Sequence, residues 1–129
     1  MALVTRDVRI ARSPEDVWKV VGDLGAIASW VPLLSGAKVD GDTRTCVTED
    51  GGTITERIVG RDDAARHYEY TIVDSPFPLS SYRASMEVQD EGGQARVVWT
   101  VDLEPDEMAS EMAPLFEQSL DTLRQRLES

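Results

Sequence analysis

A carboxylate sits where the chain otherwise places isoleucine. Residues 50–58 read DGGTITERI: two glycines make a turn, and Ile54, Glu56 and Ile58 then alternate with Thr55 and Arg57. Alternate residues of a strand face opposite sides, so the face that takes the isoleucines inward takes Glu56 with them. An ionised carboxylate buried alone is expensive; it stays protonated or finds a cation. Protonated or poorly paired, it is suited to moving protons. Paired, it becomes a fixed polar anchor. Arg44, on the preceding run of alternating residues, is the candidate cation. A three-residue turn at 50–52 predicts Cys46 opposite Glu56 and Arg44 opposite Ile58, with Arg44 a diagonal neighbour of Glu56 on the same face.

The same alternation assigns the other strands. Tyr68, Tyr70 and Ile72 share a face, as do Tyr82, Ala84, Met86 and Val88, and as do Val97, Trp99, Val101 and Leu103. Glu56, Tyr68 or Tyr70, and Tyr82 therefore aim polar tips into apolar surroundings. Two readings follow. Arg44 and Glu56 form a structural pair near a sheet end, or Glu56, Tyr82 and Arg44 are the polar anchors of an otherwise apolar ligand pocket.

Other chemistries lack their parts. His67 is the only histidine and alternates out of phase with Tyr68 and Tyr70, so it reads as a surface residue, and a His-dependent triad has no base in the pocket. One His and one Cys do not make a zinc site, and neither GxGxxG nor GxxxxGK occurs. Cys46, the single cysteine, excludes an intrachain disulfide and reads as a small buried filler. No metal or cofactor is expected.

These side chains need elements to carry them. Residues 3–10 read as a strand. Ser13, Pro14 and Asp16 form a helix start, with an N-cap, a proline at the first position and a capping-box acid. A helix through Val17, Trp18, Val20 and Val21 follows, broken by Gly22 and Gly25, and then a second short helix with Leu24, Ile27 and Ala28. Trp30 to Leu34, interrupted by Pro32, reads as a buried connection. From Lys38 short strands alternate with turns, at about 37–39, 43–49, 53–60, 66–73, 82–89 and 95–103. The connection 74–81, DSPFPLSS, is too long and proline-rich for a plain reversal and reads as a lid or rim bearing Phe77 and Leu79. From Asp106 onward Met112, Phe116, Leu120, Leu123 and Leu127 make one apolar stripe. Pro114, inside it, is expected to kink the helix or mark the start of its long part. The class is α+β: an antiparallel meander whose apolar face one long helix must cover, with space left between them.

The totals agree with one domain over residues 1–129. The chain has 129 residues, 41% of them hydrophobic, and a net charge of −11, which argues against nucleic acid and against an anionic membrane surface. The N-terminus carries charges every few residues and no run approaches the ~20 apolar residues of a membrane span. A soluble cytoplasmic protein, monomer or homodimer, is expected.

The order of elements, with Ser13-Pro14-Glu15-Asp16-Val17-Trp18, Trp30-Val31-Pro32, Thr55-Glu56-Arg57-Ile58, Tyr68-Glu69-Tyr70-Thr71-Ile72 and Trp99-Thr100-Val101, resembles the START-like, birch-pollen-allergen-like (SRPBCC) helix-grip superfamily, in its bacterial polyketide cyclase/dehydrase-like branch. The resemblance spans nearly the whole chain and implies a curved antiparallel sheet wrapped around the long C-terminal helix, with two short helices after the first strand. A local likeness to the plant abscisic acid receptors of that fold, in Thr55-Glu56-Arg57-Ile58 and Leu79-Ser80-Ser81-Tyr82, implies that Glu56 and Tyr82 line a cavity. The chain departs from those receptors at the latch, which here is Phe77-Pro78, and in a short gate at 50–52.

Two functions are thus expected of the same residues. One is a carrier, sensor or chaperone binding a small hydrophobic molecule with one or two polar groups. The alternative is a cyclase, aromatase or dehydratase in which Glu56 transfers a proton and Tyr82 polarises a carbonyl. The expected lining adds Tyr68, Tyr70, Trp30, Met86, Trp99, Phe77, Leu79, Met112 and Phe116 to Glu56, Tyr82 and Arg44. An Arg44 turned toward Glu56 favours binding, because it keeps the carboxylate ionised and weakly basic.

Overall fold

The computed structural model describes residues 2–129; Met1, which the expected domain 1–129 includes, lies outside the described residues. The strands are β1 (Ala2–Ile10), β2 (Leu34–Asp40), β3 (Thr43–Thr48), β4 (Thr53–Asp62), β5 (His67–Asp74), β6 (Ser81–Glu91) and β7 (Gln94–Glu104), and the α-helices are α1 (Pro14–Val21) and α2 (Glu107–Glu128). A 3-10 helix covers Leu24–Ser29. All strand pairs are antiparallel, in the order β1-β7-β6-β5-β4-β3-β2. The meander from β2 to β7 is thus closed on its far side by the first strand. This is the helix-grip arrangement: a seven-stranded sheet, a long C-terminal helix, and two short helices after the first strand.

Local chemistry explains the starts and stops. The Ser13 hydroxyl accepts from the Asp16 amide at 3.1 Å, and Pro14 takes the first turn, where its missing N–H costs nothing. The helix ends at Gly22, where a Cβ would lie 2.6 Å from Trp18 Cε2 and 2.8 Å from the Trp18 carbonyl oxygen. Helix α2 lays Met108, Met112, Phe116, Leu120, Leu123 and Leu127 on the sheet, chiefly against β1 and β7. It runs on through Pro114, which neither starts nor ends it. Pro114 is exposed, and so is Ser110, whose carbonyl loses the helical bond and is open to water instead.

The strand faces follow the alternation. Tyr68, Tyr70, Tyr82, Ala84, Met86, Val97, Trp99, Val101 and Leu103 are all buried, within one contiguous core. In β3 the inward residues are Arg44, Cys46 and Thr48.

The β3–β4 register differs from expectation. Arg44 lies opposite Glu56 and Cys46 opposite Ile54, so the pairing is shifted by two residues. The turn is 49–51 rather than 50–52: the Thr48 amide donates to the Gly52 carbonyl at 2.8 Å, and Gly51 supplies φ +89°. Thr48 is buried, its hydroxyl donates to Asp50, and it accepts from the Gly52 amide at 2.8 Å. This side chain closes the turn one residue early. A shift of two keeps every side chain on its face, so Arg44 stays inward and moves from diagonal to directly opposite.

Candidate functional site

The Arg44–Glu56 pair is the centre of the polar interior. Arg44 is fully buried, and its Nε donates to Glu56 Oε1 at 2.6 Å. Its Nη1 donates to the Leu24 carbonyl at 3.3 Å and to the Tyr68 hydroxyl at 3.4 Å, tying β3 to the 3-10 helix and to β5. The guanidinium lies 5.6 Å and 5.2 Å from the ring centroids of Tyr68 and Tyr70, a cation–π arrangement that offsets part of its lost hydration. Nη2 is buried without a hydrogen-bond partner. The Cys46 thiol also approaches Glu56 Oε1, at 3.7 Å.

Burial sets the protonation states. It penalises the Arg44 cation, but the surrounding Tyr68, Glu56 and Tyr70 outweigh it and hold the guanidinium above its ordinary range. Burial also raises Glu56, with Arg44 opposing. The Cys46 thiol is pushed up to about 12 by burial first and by Glu56 second, so it is inert as a nucleophile. Burial raises Tyr68, Tyr70 and Tyr82 alike, so all three stay phenols and can donate.

A second network adjoins the first. Trp99 Nε1 donates to the Tyr70 hydroxyl at 3.1 Å, and the hydroxyls of Tyr70 and Tyr82 are 3.2 Å apart. Indole nitrogen only donates, while each phenol carries one hydrogen and accepts at oxygen. Three hydrogens thus serve two contacts, and one phenolic hydrogen is left over. Glu56 Oε2 likewise takes no part in the hydrogen bonds that hold Oε1.

Both groups border a cavity of about 40 Å³. Its walls are the inward faces of β3 to β7, represented by Cys46, Ile54, Glu56, Tyr70, Ile72, Tyr82 and Trp99. Ile27 of the 3-10 helix, Val31 and Leu33 of the connection, Leu34 at the start of β2 rather than in the connection, Phe77 of the β5–β6 loop, and Met112, Leu115 and Phe116 of α2 complete it. A water needs on the order of 10–15 Å³ by this measure, so the space suits a few waters as it stands.

Of the expected lining, Glu56, Tyr70, Tyr82, Trp99, Phe77, Met112 and Phe116 meet at this cavity. Arg44 is hidden behind Glu56. Tyr68 and Met86 are register partners farther along the sheet, where Trp18 of α1 stacks near Tyr68 and fills the interior. Trp30 packs edge-on against Trp99 at 5.7 Å rather than lining the space. Leu79 borders an adjoining hollow of about 180 Å³ at the β5–β6 loop, which shares Ile72, Phe77 and Tyr82 with the cavity. The sequence reading missed Ile27, Val31, Leu33, Leu34, Cys46, Ile54, Ile72 and Leu115 as lining, Cys46 having been read as a buried filler. Ile54 and Ile72 were readable from their shared faces; the residues of the 3-10 helix and connection have no strand or α-helical period to reveal their facing. His67 lies on the outer face, half-buried, 4.0 Å from Glu69. Among the described residues no group of three or more His, Cys, Asp or Glu side chains is placed to hold a metal ion. No helix there is long and apolar enough to cross a membrane.

A sheet gripping one long helix around a small cavity with a polar end is the helix-grip fold. Within it, the family model described as "Polyketide cyclase / dehydrase and lipid transport" matches residues 1–128, and the chain belongs to that family. The structure of the protein XoxI from Bacillus cereus is similar at 30% identity, with 98% of this chain and 96% of that one covered and a TM-score of 0.90. A START superfamily protein from Mycobacterium smegmatis shares the fold at 16% identity, covering 98% and 97% of the two chains with a TM-score of 0.82. The di-domain ARO/CYC BexL, from the BE-7585A biosynthetic pathway, shares it at 14% identity; 99% of this chain covers 47% of that one, with a TM-score of 0.86. No curated protein matches.

Proposed function

We propose that the protein binds a small hydrophobic molecule with one or two polar groups in this cavity, as a carrier, sensor or chaperone. The observation that carries the reading is the pair of unspent polar groups in an apolar wall: Glu56 Oε2 and one hydrogen of the Tyr70–Tyr82 pair. A ligand that meets both is oriented, while the surrounding side chains supply its burial. Ligand pockets usually span ~300–1,000 Å³, so loading requires the rim to move. The rim is the β5–β6 loop with Phe77 and the first half of α2 with Met112 and Leu115. Residues 1–129 act in this reading as one domain.

The alternative is proton-transfer catalysis of the cyclase or dehydratase kind. Burial raising the Glu56 carboxyl favours it, as does the family's description. Against it stands Arg44 at 2.6 Å, which stabilises the ionised form and weakens it as a base. Solvent extraction of the purified protein followed by mass spectrometry tests both. The binding reading expects a co-purifying hydrophobic molecule, retained unchanged and lost from Tyr82→Phe and Glu56→Gln. Conversion of that molecule over time would establish the enzyme, and retention unaltered by either substitution would remove both residues from the site.

A further inference from the structure

The cavity wall carries a single charged side chain, Glu56. Arg44 is absent from the wall and fully buried. Its Nε is committed to Glu56 Oε1, its Nη1 to Leu24 and Tyr68, and its guanidinium face to the two tyrosine rings. The cation is thus screened by the carboxylate from anything that enters. What an occupant meets is the acceptor Oε2 and a phenolic donor. A ligand carboxylate there would face Glu56 across an apolar space of low dielectric, where like charges repel strongly. A hydroxyl would donate to Oε2 and accept from the phenol.

Resting on the proposed cavity-binding function, we infer that the site selects neutral hydrophobic molecules bearing a hydroxyl or enol and rejects carboxylates and other anions. Glu56 sets this choice twice over, as the acceptor for the ligand's hydrogen and as the screen in front of Arg44. Its removal has a specific consequence. Arg44 Nη2 already lacks a partner, so Glu56→Gln leaves an uncompensated guanidinium behind the wall, and the preference turns toward anions. Tyr82→Phe alone passes the spare hydrogen to Tyr70, so Tyr70→Phe with Tyr82→Phe is the change that removes the phenolic donor without altering the charge.

Isothermal titration calorimetry of the full chain with four probes of one shape tests this: naphthalene, 2-methoxynaphthalene, 2-naphthol and 2-naphthoate, at neutral pH. 2-Naphthol should bind about tenfold or more tighter than 2-methoxynaphthalene, which accepts but cannot donate, and 2-naphthoate should bind weakest. In Glu56→Gln the ratio of naphthoate to naphthol affinity should rise by about tenfold or more. In the double variant Tyr70→Phe/Tyr82→Phe naphthol and methoxynaphthalene should weaken about fivefold and naphthalene stay unchanged. Should Glu56→Gln not fold, the wild-type order and the Tyr70→Phe/Tyr82→Phe result decide. Naphthoate binding as tightly as naphthol, or naphthalene matching naphthol, overturns the inference and leaves the cavity-binding function standing. Failure of all four probes overturns that function and the inference with it.

Discussion

Removing one member of the Arg44–Glu56 pair strands the other charge inside the protein. Such losses cost ~3–5 kcal/mol, whereas replacing both members by well-packed apolar residues is often near neutral. Arg44→Met should therefore destabilise by about that amount in urea denaturation, and Arg44→Met with Glu56→Leu should recover most of it. A double variant no better than the single would mean that the cation–π contacts with Tyr68 and Tyr70, rather than the ion pair, hold this part of the core. The pH dependence separates the two forces on Glu56. Burial raises its carboxyl above the ordinary 4.5, so the folded state binds its proton more tightly than the unfolded state. Stability from this group is then full below that value and falls as pH rises through the folded one. Asp50, Asp63 and Glu69 are held low by hydrogen bonds from Thr48, Arg61 and Arg83 and act with the opposite sign, but they cancel in a comparison with Glu56→Gln. The stability advantage of wild type over Glu56→Gln should shrink as pH rises from 4.5. An advantage that grows would show Arg44 overcoming burial and lowering Glu56.

At the level of elements, the break between α1 and the 3-10 helix depends on Gly22. An alanine there would press its Cβ onto the Trp18 indole and the Trp18 carbonyl, and the carbonyl cannot retreat. Gly22→Ala should cost ~1–3 kcal/mol, as overpacking does, read as a lower melting temperature; an unchanged one would mean that α1 shifts freely on the sheet. The strands were legible in the sequence because each half-buried strand sorts its residues strictly in and out and because glycine turns mark the ends. That is why the alternation alone places Glu56, Tyr70, Tyr82 and Trp99 facing the interior. The β3–β4 register was not legible, because the side chain of Thr48, a residue of no special turn preference, closes the loop through Asp50 and Gly52. Of the two expectations for Pro114, that it marks the start of the long part is overturned, since α2 begins at Glu107; whether a helix continues through a proline depends on solvent reaching the freed carbonyl, which the local pattern does not encode.

For the whole molecule, the position of the cavity follows from unequal coverage. Helix α2 packs chiefly on β1 and β7 at one side of the sheet, while the 3-10 helix covers β2 and β3 at the other. Between them the interior is spanned by Ile27, Val31, Leu33, Leu34, Phe77 and the α2 residues Met112, Leu115 and Phe116, over a wall carrying Glu56 and Tyr82. Sequence alternation identified the wall but not the gap, which arises from the docking of three separate elements. The central claim is that this gap, with those two polar residues, is where a ligand sits. An NMR titration of the full chain with 2-naphthol tests it most directly. The account predicts the largest methyl shifts at Val31, Ile54, Ile72 and Met112, with intermolecular nuclear Overhauser contacts from the probe to the Tyr82 ring. Contacts confined to the groove between β1 and α2, around Arg6, Glu117 and Arg124, with none at Tyr82, would contradict it.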